Sequence, residues 1–159
     1  MLKAYCDGAC RKGNPGICAG AFVVYAKLDF SDEYKKIHEE GFWLGEGTNN
    51  YAEYSALLHL LKWLGSWKEV TIYCDSALVV NQVNDVWDVN NRALLPYWQE
   101  AYARLIQGKH KLIHIRGHQG IEGNERADFL CNEVLDDFER RGFGKADKER
   151  ASRAPEGQN

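Results

Sequence analysis

Tyr51–Leu64, YAEYSALLHLLKWL, is the stretch where the chain changes its periodicity. Glu53, Ala56, Leu57, Leu60, Leu61 and Leu64 fall at steps of three and four, one face of a helix. Asn49 and Asn50 precede it as candidate N-caps. Upstream the pattern is that of strands. Leu2–Asp7 alternates apolar and polar residues, and Ile17–Leu28 and Ile37–Gly45 are apolar and aromatic runs parted by a charged turn, Asp29–Lys36, a hairpin by pattern. Downstream, strand and helix alternate. Val70–Cys74 reads as a buried strand, Ser76–Val83 as a short helix, Asn91–Ile106 as a longer one and Lys111–Ile115 as another strand. Glu122–Arg140 reads as a helix with Ala127, Leu130, Cys131, Val134, Leu135 and Phe138 facing inward. Three strands followed by alternating elements predict an α/β fold, a mixed sheet with helices packed on it.

The 159 residues suit one domain, and 45% apolar and aromatic content supplies a sizeable core. Charge divides the chain: residues 1–139 carry net −6 and residues 140–159 net +3, within an overall −3. The second segment, RRGFGKADKERASRAPEGQN, holds no aliphatic residue larger than alanine and is expected to be a disordered basic tail. The longest apolar run, Ile17–Ala26, is about half a membrane span, and the pattern of the opening residues leads to the expectation of no secretory signal. Five irregularly spaced cysteines suit a reducing cytoplasm, and five free thiols are expected.

Two strands end in the same tripeptide, Tyr5-Cys6-Asp7 and Tyr73-Cys74-Asp75. Each sets a carboxylate at the carboxyl end of an apolar strand, where open α/β sheets place ligand sites. Taken singly, either aspartate suits a turn. Glu53 interrupts a leucine-rich helix face, where an unpaired carboxylate is costly and the helix dipole returns only about 0.3–1 kcal/mol. Asp128 lies beside the core-facing Ala127, and alone it reads as part of a solvated face. Gathered at about 5 Å, such carboxylates repel by roughly 3 kcal/mol per pair at an effective dielectric near 20. Protonation or divalent cations must relieve that repulsion. An all-carboxylate shell favours Mg²⁺ or Mn²⁺ over zinc, and two such ions suit displacement at a phosphodiester. Cys6 and Cys74 are expected to meet on the sheet face opposite the acids, as inert thiols.

These residues carry a family resemblance. Asp7-Gly8-Ala9 with Gly13-Asn14-Pro15-Gly16, then Thr48-Asn49-Asn50 and Ala52-Glu53, resemble the first half of ribonuclease HI. Asp75-Ser76, Gly117-His118 and Gly123-Asn124-Glu125-Arg126-Ala127-Asp128 resemble the second half, in order through about residue 138. The resemblance implies a ribonuclease H-like fold, a five-stranded mixed sheet with strands one to three antiparallel, flanked by helices. It implies that Asp7, Glu53, Asp75 and Asp128 form the catalytic metal centre, with Asp7 bridging two Mg²⁺ ions that activate a water and stabilise the leaving 3′-oxygen. Mn²⁺ is expected to substitute. The RNA strand of an RNA/DNA hybrid would be cut endonucleolytically to 5′-phosphate and 3′-hydroxyl ends. His118 resembles the family's mobile histidine, which aids proton transfer or product release. Asn14, Thr48, Asn49 and Asn50 resemble hybrid contacts, since neutral amides and hydroxyls can read 2′-hydroxyls. A monomer is implied.

The chain departs from part of the pattern. Asp75 to His118 spans 43 positions, too short for the extra basic helix of some bacterial members. Trp87 lies between Asp85 and Asp88 where members lacking that helix are often basic, so Trp87 can line the DNA strand but phosphate attraction is weak. Two alternatives stay open: a nuclease of the same superfamily acting on DNA, and a noncatalytic module binding hybrid or a partner.

Overall fold

A computed structural model describes residues 1–141, and within it Leu2–Arg11 forms the central strand β1. It pairs antiparallel with β2 (Gly16–Lys27), which pairs antiparallel with β3 (Tyr34–Gly47). After helix α1 (Asn49–Leu64) the chain crosses over to β4 (Thr71–Cys74), parallel to β1 on its other side. Helix α2 (Ala77–Val83), a 3-10 turn at Arg92–Leu94 and α3 (Leu95–Gly108) lead to β5 (Lys111–His114), parallel to β4. Helix α4 (Glu122–Arg140) closes the described chain. The five-stranded sheet runs β3-β2-β1-β4-β5, as expected of the fold class. Between α2 and α3 the one helical element is that three-residue 3-10 turn.

One face of the sheet carries α1, with α2 and α3 beside it, and the main core lies there around Phe22, Leu57, Leu60, Ile72 and Val79. The predicted single stripe of α1 is too narrow. Tyr54, Ser55 and Leu58 are buried as well, because the helix is enclosed by the sheet on one side and α3 on the other. Leu57 is fully buried, so Leu57→Ala would cost about 2–5 kcal/mol against a total stability of about 5–15. The N-cap of α1 is Thr48, whose hydroxyl accepts from the Tyr51 N–H at 3.1 Å; Asn49 and Asn50 are the first helical residues, not caps. Helix α4 covers the other face and matches its predicted bounds, with Ala127, Cys131, Leu135 and Phe138 buried. Leu130 and Val134 are only half-buried, lying along Gly41 of β3, where a Cβ would come within 3.1 Å of them.

The first hairpin corrects two expectations. β1 continues past Asp7 to Arg11, and Cys10 faces Cys18 across the ladder. Those two sulfurs are joined in a disulfide, so three free thiols remain among the described residues, Cys6, Cys74 and Cys131, all buried. The expected basic tail falls outside the described residues, except that Arg140 ends α4 and Arg141 caps it. Among the described residues no helix is long and apolar enough to cross a membrane.

Candidate active site

Parallel pairing sets Tyr5 beside Tyr73 and Cys6 beside Cys74, so Asp7 and Asp75 leave neighbouring strands at the same edge. Glu53 reaches this edge from the first turns of α1. The helix can lie that close because Gly8 has no side chain: a Cβ there would sit 2.3 Å from the carbonyl carbon of Ala52. Asp128 comes from α4 on the opposite face. Four elements thus deliver the four acids singled out in the sequence to one place.

Asp7 is at the centre, 4% exposed, with its carboxyl close to those of both Glu53 and Asp75. Burial, then the charges of Asp75 and Asp128, push it up to about 8 from an ordinary 3.8. Glu53 is pushed well above the usual carboxylate range by burial, with Cys74, Asp7 and Asp75 adding to it. Burial also raises Asp75, while hydrogen bonding to Asp7 and the nearby His118 act in the opposite sense. None of the four acids is ion-paired to a lysine or arginine among the described residues. Carboxylates crowded this closely need an external cation to be ionised together.

The donors fit a hard divalent ion. Ligand atoms of Glu53, Cys74 and Asp75 lie within 4.8 Å of one another. The Cys74 thiol is pushed well up, first by its hydrogen bond with Cys6 and then by burial, so it stays protonated and leaves the oxygens as ligands. The expectation that Cys6 and Cys74 meet holds. They do not lie opposite all the acids, however: Cys74 Sγ is 4.0 Å from Glu53 Oε2, because Glu53 descends from the thiol side. On the other face the Cys131 thiol donates to the Asp7 carbonyl at 3.3 Å.

Two arginines fix α4: Arg126, which the sequence offers only as part of the motif before Asp128, and Arg11, which it does not single out. Arg126 forms a fork with Glu39 of β3 at 2.8 and 2.7 Å. Arg11, at the end of β1, donates to the Asn132 side chain at 2.9 Å and pairs with Asp136, while Asn132 donates to the Asp128 carbonyl. Both partners are distant in sequence. Gly117, too, is placed by the acids: a Cβ there would sit 3.1 Å from Asp75 Oδ2.

The remaining predicted residues divide into three places. His118 is exposed at a left-handed φ of 59°, in the loop that crosses Asp75. Asn14, Thr48 and Asn49 lie together, with the Asn49 N–H donating to Asn14 Oδ1 at 3.0 Å, and Asn50 follows in the first turn of α1. Trp87 stands apart, 49% exposed in the loop after α2.

Sheet order, crossovers and helix placement are those of the ribonuclease H-like fold. A model of the RNase H family matches residues 1–136. The ribonuclease H of Clostridium botulinum is 31% identical over 149 residues, covering 84% of this chain and 95% of its own. The crystal structure of RNase H1 from Halobacterium salinarum superposes with a TM-score of 0.74 at 34% identity, over 86% of this chain and 98% of that one. LC11-RNase H1, solved in complex with an RNA/DNA hybrid, gives 0.70 at 31% identity, over 86% and 98%. The chain belongs to the ribonuclease H family and is an enzyme of that kind.

Proposed function

We propose that this enzyme hydrolyses the RNA strand of RNA/DNA hybrids endonucleolytically, leaving 5′-phosphate and 3′-hydroxyl ends, with residues 1–139 as the catalytic domain. The observation that supports this most is the acid cluster, in which buried Asp7 lies beside Glu53 and Asp75 and no basic side chain among the described residues neutralises the group. Asp7, Glu53, Asp75 and Asp128 would hold two Mg²⁺, or Mn²⁺ in their place. When bound, the metals supply an activated water and stabilise the departing 3′-oxygen. Asp7, touching acids on both sides, is the residue suited to serve both ions. Glu53 from α1, Asp75 just after β4 and Asp128 from α4 would supply the remaining carboxylate ligands. His118, beside Asp75 on an exposed loop, moves a proton to or from the edge and eases product release. Asn14, Thr48, Asn49 and Asn50 form a neutral polar surface suited to the 2′-hydroxyls of a hybrid minor groove, and Trp87 lies along the DNA strand. A cytoplasmic monomer completes the reading, although the Cys10–Cys18 bond removes the argument for the cytoplasm drawn from five free thiols.

The test is cleavage of an end-labelled hybrid across a Mg²⁺ and Mn²⁺ series, with duplex DNA and duplex RNA as controls. Cleavage confined to the RNA of the hybrid, abolished by chelator and by Asp75→Asn, is expected. Cutting of duplex DNA would move the enzyme to the DNA-directed alternative. Binding of hybrid without turnover in either metal would make it a noncatalytic module.

A further inference from the structure

Gln82 is a buried polar side chain, 5% exposed, near the end of α2, and the chemistry described so far leaves it without a role. Its amide is satisfied at both ends by partners in different elements. The Tyr54 hydroxyl donates to Oε1 at 2.6 Å, and Nε2 donates to the Asp88 carbonyl at 3.2 Å. A carbonyl can only accept, so this pair fixes which way the amide faces. The residue's own carbonyl accepts from the Trp98 indole N–H at 2.8 Å, tying it to α3. Tyr54, fully buried, is the residue after Glu53, and Asp88 is the residue after Trp87. One side chain therefore joins the α1 turn that carries an active-site acid to the loop that carries an exposed indole.

The loop has few other anchors on this side. Asn81 O accepts from both the Val86 and Trp87 N–H groups, at 2.8 and 3.0 Å, Asp85 takes a left-handed φ of 63°, and residues 84–88 are all exposed. Asn84 Nδ2 donates to Leu112 O at the loop's start, and Val89 packs against the core at its end. Between these points the Asp85 N–H also donates to the Gln82 carbonyl at 3.1 Å, and among the described residues the side-chain hydrogen bond to residues 85–88 is the one from the Gln82 amide. A shorter amide at position 82 would not span the gap, and an apolar side chain would leave a buried hydroxyl and a backbone carbonyl unpaired.

We infer that Gln82 is a positioning residue for substrate, holding the Asn84–Asn90 loop so that Trp87 meets the nucleic acid in a fixed relation to the acid edge. The inference rests on the proposed role of Trp87 as a hybrid contact. It assigns Gln82 an effect on binding rather than on the chemical step, because its hydrogen bonds reach the loop and the back of α1 but none of the four acids.

Steady-state cleavage of a labelled hybrid in Mg²⁺ tests this, at temperatures well below the melting point of each variant. Gln82→Leu should raise KM about 3- to 10-fold and leave kcat within about 2-fold. Tyr54→Phe, which removes one end of the bridge and keeps the ring, should shift KM in the same direction by less, and it carries the test if Gln82→Leu does not fold. In a Trp87→Ala background, which should itself raise KM, Gln82→Leu should add nothing further. An unchanged KM in folded Gln82→Leu, a fall in kcat alone, or full additivity with Trp87→Ala would overturn the inference. If Trp87→Ala leaves KM unchanged, the proposed contact by Trp87 fails instead, and that outcome is read from the single variant.

Discussion

Asp7 and Glu39 are carboxylates on the same sheet, and their surroundings drive them in opposite directions. Glu39 meets the Arg126 guanidinium, a fork of two hydrogen bonds that holds its carboxyl down at about 2. Asp7, buried and with no cation beside it, is pushed up to about 8 by that burial and then by the charges of Asp75 and Asp128. A carboxylate supplied with a cation by its own chain is a clasp, and here it fastens α4 to β3. A carboxylate denied one is an unfinished site, costly to the apoprotein and completed from outside. The difference explains why a net acidic body is compatible with a nucleic-acid substrate. Much of the uncompensated charge is gathered where metal ions are needed.

The largest break in that comparison comes from Asp7→Asn. Hybrid cleavage should fall by roughly a thousandfold or more, whereas Glu39→Gln keeps most of its activity. The same Asp7→Asn protein should be more stable than the parent in chelator. The sign follows from the shift: a carboxyl at 3.8 unfolded and about 8 folded stabilises below pH about 4, and that contribution is lost as pH rises through about 8. The melting temperature of Asp7→Asn should therefore exceed the parent's by several degrees near pH 8 and match it near pH 4. Mg²⁺ should shrink the gap by stabilising the parent. Equal melting temperatures in chelator at pH 8 would mean that the acids do not strain the fold.

Much of this was legible in the sequence, for physical reasons that differ by element. α4 matched end to end because its apolar residues return every three or four positions over five turns. The acid edge was legible because Asp7 and Asp75 each follow the same Tyr-Cys pair on strands that lie side by side, and Glu53 interrupts a leucine face. β1 was read short: Gly8 and Ala9 are too small to show alternation, so Cys10 was not seen to face Cys18. The helix cap was assigned to the wrong residue of Thr48-Asn49-Asn50, since all three can cap. The two arginine clasps could not be read at all. Glu39 and Arg126 are 87 positions apart, and neither is unusual in its own neighbourhood.

The smallest effect sharpens the comparison from Glu39's side. Arg126→Ala should destabilise the protein by about 1 kcal/mol, the value of a partly exposed, screened pair, lowering the melting temperature by about 2–4 °C. Here the sign is opposite to that of Asp7. Glu39 is at 4.5 unfolded and about 2 folded, so the contribution is fully present above pH 4.5 and disappears as pH falls through about 2. Parent and Arg126→Ala should thus differ at neutral pH and converge in acid, and added salt should narrow the difference. Arg126→Lys should recover only part of it, because an ammonium cannot supply the planar fork that engages both oxygens of Glu39. Because Asp128 lies two residues along the same helix, loosening the clasp should also weaken the activating effect of Mg²⁺, moving the half-saturating concentration upward while the saturated rate stays near the parent's. A loss of stability with no change in that metal dependence would confine Arg126 to holding the fold.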